Sequence, residues 1–203
     1  MLNPFRLIKN IIYLGALAAI VFFVINYQAL LKQAEYYFYQ KYPKAEVIRV
    51  ILEKSPKKEE KINAENALVI DKIGVNAPIV EVPNSNENVI QKGLENGVVH
   101  YPETGNPGER GNYFILGHSS DYIWRRGAYK EVFALLGKLD KGDLIKVNSA
   151  GKEYSYQVFE KVIVAESAVQ ILAPTTDPII SLMTCWPIGT PLRRLVVRGK
   201  LVE

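Results

Sequence analysis

Cysteine and histidine are both scarce in this sequence of 203 residues, which contains one cysteine, Cys185, and two histidines, His100 and His118. A single cysteine excludes a disulfide within the chain and a zinc site built from several cysteines. Two histidines are too few for a histidine-based metal cluster. We therefore predict no metal centre and no cofactor, although the spacing of the acidic residues does not determine whether calcium is required.

Long runs of one charge are also missing, and the formal net charge is only +4. The basic pair Lys57 and Lys58 is followed directly by Glu59 and Glu60, so its charge is neutralised locally. Such a segment is typical of a solvated linker, whereas a nucleic-acid-binding surface needs concentrated positive charge. The sequence therefore predicts no nucleic-acid partner.

One long apolar run is present near the N-terminus. Residues 10–31 carry no charged side chain, and about 20 apolar residues suffice for a helix to cross a bilayer. A cleaved signal peptide is the alternative, because Ala16-Leu17-Ala18 has the small-x-small pattern of a cleavage site. That motif lies inside the apolar run, after too short a hydrophobic region, so we predict an uncleaved membrane anchor. Basic residues flank both ends, and charge alone leaves the orientation open.

Changes of composition divide the chain into four predicted parts. Residues 1–9 are a cytoplasmic N-terminus, residues 10–31 the transmembrane anchor, residues 32–64 a stalk and residues 65–203 the globular domain. The stalk begins with a tyrosine-rich segment that could continue the membrane helix. It ends with a Lys/Glu-rich segment typical of a flexible tether. Between them, residues 47–52 fit either a short strand or an extension of the helix.

The globular domain is rich in short β-branched and aromatic runs separated by glycine and proline. The predicted strands lie at residues 67–70, 77–82, 98–101, 113–116, 144–147, 153–165, 179–185 and from 193 onward. Two short helices are predicted at residues 86–94 and 129–136. Short strands with closely spaced turns and few helices predict an all-β domain, either a small barrel or a sandwich.

Residues capable of chemistry lie at the ends of three predicted strands. Cys185 ends one apolar strand, His118 follows another, and Arg193 and Arg194 open the last. A lone thiol at a strand end is either a buried structural cysteine, since free cysteine is often buried, or a nucleophile. The two arginines project to opposite faces of their strand, so at most one of them shares the face of a given site.

Two segments of this chain resemble the sortases, which are membrane-anchored cysteine transpeptidases of the bacterial cell surface. One segment is residues 105–118, which ends on Gly117-His118; the other is residues 182–185, which ends on Thr184-Cys185, and the arginine strand follows it. The resemblance extends over roughly residues 67–203. It implies a closed eight-stranded sortase-type β-barrel with one or two short helices, preceded by a single N-terminal transmembrane helix.

The resemblance also implies that His118, Cys185 and Arg194 meet in one groove. The family's arginine stands four residues before the position of Arg198, which selects Arg194 over Arg193. Cys185 would attack as the thiolate, His118 would protonate the leaving amine, and Arg194 would stabilise the oxyanion. With unperturbed pKa values, under ~1% of molecules would hold thiolate and imidazolium together at pH 7. The site therefore uses either a coupled ion pair or that minor population, and the resemblance favours the second.

Three further residues are candidate substrate-binding groups, and each has a structural alternative. Thr184 either helps to shape the oxyanion site or packs in its strand. Trp186, together with Trp124, either lines a groove for an extended peptide or packs against the domain. His100 resembles a histidine found upstream in several sortase subgroups, and it is either a second acid–base group or a structural residue.

The resemblance predicts a transpeptidase that cleaves a C-terminal sorting signal similar to Leu-Pro-x-Thr-Gly through a thioacyl-enzyme intermediate. It implies surface proteins bearing that signal and an amine acceptor, such as a peptidoglycan precursor or a pilin lysine, with the catalytic domain on the extracellular face of the membrane. The sequence lacks the Asp-Pro-aromatic lid and the C-terminal span of pilin-polymerising sortases, which favours anchoring to the wall. The alternatives are a pilin-polymerising sortase, a hydrolase, and a non-catalytic membrane-tethered barrel that binds a peptide.

Overall fold

A closed β-barrel forms the globular part of the chain, and a long helix precedes it. The structure is a computed structural model that describes residues 4–43, 65–122 and 124–202. Within these residues the strands are β1 (Ala67–Ile70), β2 (Val75–Glu81), β3 (Val98–His100), β4 (Gly111–Leu116), β5 (Leu144–Ser149), β6 (Lys152–Ala165), β7 (Pro178–Trp186) and β8 (Arg193–Leu201). The helices are α1 (Pro4–Lys41) and α2 (Glu87–Leu94), with 3-10 turns at Asp71–Ile73, Leu136–Lys138 and Val169–Leu172.

The described strands close in the order β1-β2-β3-β4-β7-β8-β6-β5, and β5 pairs back to β1. This confirms the predicted closed eight-stranded barrel. The β2–β3 and β4–β7 pairs are parallel, and the other pairs are antiparallel. Because β4 and β7 are parallel, with Leu116 opposite Met183, both strands end at the same rim of the barrel. The residues that follow them are therefore neighbours.

Side chains on both faces of the β4–β7–β8 sheet are buried. On β7, Ile180 and Leu182 are fully buried and belong to the core that fills the barrel. On the outer face, Phe114 and Val196 are covered by Ile171 from the last 3-10 turn. Complete burial of each such side chain contributes about 1.5–3 kcal/mol. These three strands therefore form a rigid support for the residues at their ends.

The predicted helix at residues 86–94 is confirmed as α2. The side chain of Asn86 accepts a hydrogen bond of 3.0 Å from the backbone N–H of Asn88, which satisfies one of the free donors at the helix start. Ile90 and Leu94 pack against Val99 of β3. This contact lays α2 along the outside of the barrel.

The predicted helix over residues 129–136 is wrong. The segment forms successive turns, followed by the 3-10 turn Leu136–Lys138. Its own backbone hydrogen bonds join residues three apart, as in turns, and the N–H of Phe133 donates instead to the carbonyl of His118 (2.9 Å) in the neighbouring loop. The ring of Phe133 lies so close to Gly117 that an added Cβ there would be 2.4 Å from it. The apolar residues that suggested a helix thus close the end of the barrel.

Helix α1 is continuous across the predicted boundaries at residues 9 and 31, and it confirms that the membrane helix continues beyond residue 33. It has 38 residues, or about 57 Å at ~1.5 Å per residue, against a bilayer core of ~30 Å. Its most apolar 18-residue window has a mean hydropathy of 2.2 and is 0% buried. This one N-terminal apolar helix indicates single-pass membrane anchoring. The prediction for residues 47–52 lies outside the described residues, and the four-part division stays a prediction.

Candidate active site

Cys185 and His118 lie side by side at the rim of the barrel because β7 and β4 end there together. The backbone N–H of Gly117 donates to the carbonyl of Met183 (3.1 Å). The Thr184 hydroxyl donates to the carbonyl of Gly117 (2.7 Å) and is buried. The peptide groups next to both candidate residues are therefore held by hydrogen bonds between the two strands.

The register of β7 against β8 distinguishes the two arginines. Arg194 lies directly opposite Cys185, and Arg193 lies opposite Trp186. Directly opposed residues of antiparallel strands project to the same face of the sheet. Arg194 therefore shares the face of Cys185, whereas the exposed Arg193 belongs to the other set of positions.

The guanidinium of Arg194 is held by acceptors on two sides. It donates to the carbonyls of Pro191 (2.8 Å) and Arg193 (3.1 Å), and it forms a hydrogen-bonded ion pair with Glu166. The Arg194 side chain is 15% exposed, compared with 66% for that of Glu166. The arginine is thus oriented before any substrate binds.

Cys185 lies where two pockets meet, and together they form a groove along the rim. The first, here called the histidine pocket, has a volume of about 230 Å³, and its lining includes Asn26, Gln91, His118, Asp121, Cys185 and Gly189. The second, here called the arginine pocket, has a volume of about 320 Å³, and its lining includes Ile90, Gln91, Leu116, Met183, Cys185 and Arg194. A chain lying in the groove would pass His118 on one side of the thiol and Arg194 on the other.

Burial keeps the thiol and the imidazole mostly neutral. It raises the pKa of the Cys185 thiol, an effect that Arg194 opposes and Glu166 reinforces. It lowers the pKa of His118, an effect that Asp121 opposes and Arg125 reinforces. Both shifts disfavour the charged form of the group concerned. A thiolate beside an imidazolium is therefore a minor population of the resting site.

Two acidic residues near the candidate site were not predicted from the sequence. The nearer carboxylate oxygen of Asp121 lies 3.9 Å from Nε2 of His118, and its other oxygen lies 3.6 Å from Nε of Arg125. Asp121 follows His118 by three residues, and that spacing was a usable signal. Glu166 is 28 residues from Arg194, and nothing in the sequence connects them.

His100 lies away from the groove. Its Nδ1 is 2.7 Å from a carboxylate oxygen of Glu81, and its Nε2 is 3.1 Å from the Thr104 hydroxyl. Its ring packs against that of Tyr113, which belongs to the core of the barrel. His100 is not among the described residues that line the two pockets at Cys185. These contacts favour the structural alternative for this residue.

Thr184 and Trp186 alternate with Cys185 along β7 and so project to the opposite face. Trp186 packs against the barrel core, and the Thr184 hydroxyl is occupied by the carbonyl of Gly117. Trp124 is largely exposed and stacks on Tyr122 with ring centroids 4.7 Å apart. The structure thus brings His118, Cys185 and Arg194 together. Thr184 also lines the arginine pocket, whereas Trp186 packs against the core.

Comparison with known proteins identifies relatives over the whole barrel. The family model described as "Sortase domain" matches residues 68–202. Sortase D of Bacillus subtilis is 30% identical over 149 residues, which cover 71% of this chain and 67% of that protein. Sortase SrtE1 of Streptomyces coelicolor is 31% identical over 150 residues, which cover 67% of this chain and 40% of that protein.

A solved structure shows the same relationship in three dimensions. The Clostridium perfringens Sortase D5 transpeptidase has a TM-score of 0.56 with this chain at 29% identity. The superposition covers 74% of this chain and 86% of that one. The family match over residues 68–202 includes the strand ends that carry the candidate residues.

Proposed function

Because the chain belongs to the sortase family, we propose that it is a cysteine transpeptidase in which Cys185 is the nucleophile. His118 serves as the general acid and base, and Arg194 binds the substrate carbonyl. The observation that carries this proposal is the β7–β8 register, which sets Arg194 opposite Cys185 in one groove with His118. The substrate is a surface protein with a C-terminal sorting signal similar to Leu-Pro-x-Thr-Gly.

In the first half-reaction, the thiolate of Cys185 attacks the threonyl carbonyl carbon. Arg194 donates to the carbonyl oxygen as it becomes an oxyanion, and its permanent charge makes it a strong donor there. The carbon–nitrogen bond then breaks, and His118 gives its proton to the leaving amine. The acyl segment occupies the arginine pocket and remains as a thioester on Cys185, while the leaving segment departs through the histidine pocket.

In the second half-reaction, an amine acceptor enters the histidine pocket and attacks the thioester. His118 accepts the proton of the amine, and Cys185 leaves as the thiolate, so the site returns to its starting charge. The acceptor is an amine of the cell surface, such as a peptidoglycan precursor or a pilin lysine. The anchor helix holds the barrel on the extracellular face of the membrane, where both substrates are found.

The test uses the full chain in detergent or nanodiscs with a library of sorting-signal peptides and an amine. Mass spectrometry should find an acyl adduct on Cys185, and Cys185→Ala should form neither adduct nor product. We expect His118→Ala to lower kcat/KM by about 10²–10⁴ and Arg194→Ala by about 10²–10³. Arg193→Ala is the matched control for Arg194 and should change kcat/KM by less than about threefold. Absence of any adduct on wild-type Cys185 across the library would overturn the proposal and favour a non-catalytic peptide-binding barrel.

A further inference from the structure

One face of α1 packs on the barrel, starting at Ile25 within the last two turns of the predicted anchor of residues 10–31. The described side chains from residue 5 to residue 24 are all exposed, whereas those at 25, 26, 29, 30, 33, 36 and 39 are buried or half-buried. A spacing of three and four residues places these side chains on one face of a helix. The first half of α1 is thus free to lie in a bilayer, and the second half is a docked element of the catalytic domain.

The centre of this contact is small and apolar. Ala29 is 1% exposed and packs with Ala134 and Ile188. The side-chain amide of Gln33 donates to the backbone carbonyl of Ala134 at 3.4 Å. Small residues on both sides let the helix backbone approach the barrel closely.

Polar contacts extend the same interface on both sides of that centre. Lys32 lies 3.4 Å from a carboxylate oxygen of Glu131. One turn further along the helix, the ammonium group of Lys138 donates to the Tyr37 hydroxyl and lies 4.1 Å from the centre of its ring. The interface therefore covers at least three turns of α1 and fixes the rotation of the helix against the barrel.

The N-terminal end of this interface lies in the histidine pocket. Ile25 and Asn26 line that pocket together with His118 and Cys185, and Asn26 is only 4% exposed. Gly189 has a φ of +79°, and a Cβ added there would lie 2.5 Å from the amide oxygen of Asn26. Glycine at this position allows the loop after Cys185 to touch the helix, so the helix closes this side of the pocket.

We propose that α1 is a structural wall of the histidine pocket as well as an anchor, and that Asn26 limits the size of the amine that reaches Cys185. The part about the amine rests on the function proposed above. A pocket of about 230 Å³ is below the ~300 Å³ at which ligand pockets usually begin. It accommodates a short unbranched amine, such as the N-terminus of a glycine peptide, better than one with a branched side chain beside the nitrogen.

Docking is tested in the Cys185→Ala variant, because Cys185 is the sole cysteine and its replacement leaves a chain without thiols. Ala29→Cys with Ala134→Cys is treated with a short bifunctional thiol reagent in nanodiscs, and cross-linking is scored by the mass of intact protein and by its linked peptides. Leu31→Cys with Ala134→Cys is the matched control, because Leu31 is on the opposite, exposed face of the same helical turn. We expect at least about fivefold more cross-linking for the first pair. Equal yields would overturn the docked arrangement.

The wall itself is tested by the access of reagents to Cys185, which needs no peptide substrate. Methyl methanethiosulfonate serves as the small reagent and a fluorescein maleimide as the bulky one. We expect Asn26→Ala to raise the bulky-to-small rate ratio about fivefold, because it removes most of the closing side chain. Gln28→Ala, on the exposed side of the helix, should leave the ratio unchanged within about twofold. The same ratio in both variants would overturn the role of Asn26 as a wall.

The role in acceptor choice is tested with Gly-Gly-Gly and Leu-Gly-Gly as competing amines. Asn26→Ala should raise the kcat/KM of Leu-Gly-Gly relative to Gly-Gly-Gly by about fivefold or more, and Gln28→Ala should not. Equal ratios in the two variants would overturn the part of the proposal that concerns the amine. If no acceptor gives product in any variant, the proposed function fails, while cross-linking and reagent access still decide whether α1 is the wall.

Discussion

The charges of Arg194 and Glu166 should act in opposite directions on the reactivity of Cys185. Only the thiolate reacts with an alkylating reagent, so the rate at a fixed pH below the thiol pKa measures how much of Cys185 is ionised. Burial raises that pKa first of all, Arg194 lowers it, and Glu166 raises it. Arg194→Gln should therefore slow alkylation, and Glu166→Gln should accelerate it.

The size of the Arg194 effect follows from the strand register. Opposed residues have Cβ atoms about 5 Å apart, so the sulfur and the guanidinium are taken as about 7 Å apart. At an effective dielectric constant of about 20–40, Coulomb's law gives about 1.2–2.4 kcal/mol. We expect alkylation of Arg194→Gln to be slower by roughly tenfold. Glu166 is two-thirds exposed, so solvent screens its charge, and Glu166→Gln should accelerate the reaction by only about twofold.

The assay follows iodoacetamide incorporation from pH 6 to pH 10 in the full chain. Cys185 is the sole thiol, so all of the signal comes from the site. Circular dichroism of each variant checks that the barrel is folded. If both substitutions changed the rate in the same direction, or if neither changed it, the electrostatic account of Cys185 would be refuted.

Three further predictions concern the rest of the site. The pH profile of kcat/KM should be bell-shaped, with its acid limb below the ordinary histidine pKa and its basic limb above the ordinary cysteine pKa, because burial lowers the pKa of His118 and raises that of Cys185. In Asp121→Asn the acid limb should move to still lower pH, because the carboxylate that opposes the shift at His118 is removed; an acid limb that stays in place would contradict this. Thr184→Val should lower the free energy of unfolding by about 1–3 kcal/mol in a denaturant titration, because the buried carbonyl of Gly117 loses its hydrogen-bond donor. Thr184→Ser keeps a hydroxyl at this position and should retain most of the wild-type stability.

The barrel was predictable from the sequence because its signals are local. Alternation of apolar residues located the strands within one or two residues, and Asn86 marked the start of α2. The segment at residues 129–136 was misread because Phe133 and Leu136 are apolar for another reason: they are buried in the core at the end of the barrel. Spacing alone cannot separate a helix face from a loop that fills a barrel end.

The candidate site was predictable where strands carry it and not where loops do. Cys185 and Arg194 lie at the ends of β7 and β8. Alternation along a strand predicts that Arg194 and Arg193 lie on opposite faces, and the register agrees, whereas the choice of Arg194 rests on the sortase resemblance. Glu166 reaches Arg194 from a turn after β6, at a sequence distance of 28 residues. Such a pairing depends on the path of a loop, which no period in the sequence records.

Docking of α1 and the charge state of the site should be coupled, and Ala29→Arg tests this in the full chain. Burial is the leading cause of the raised pKa at Cys185 and of the lowered pKa at His118, and α1 closes the pocket that both residues line. An arginine at Ala29, which is 1% exposed, should force the helix away from Ala134 and admit water.

The thiol pKa should then fall and the imidazole pKa should rise, each towards its ordinary value. Iodoacetamide would react faster at neutral pH, and both limbs of the kcat/KM profile would move inward. Gln28→Arg adds the same charge on the exposed side of the helix and serves as the control. If Ala29→Arg and Gln28→Arg gave the same alkylation profile, the burial that shifts the pKa values of Cys185 and His118 would come from the barrel alone.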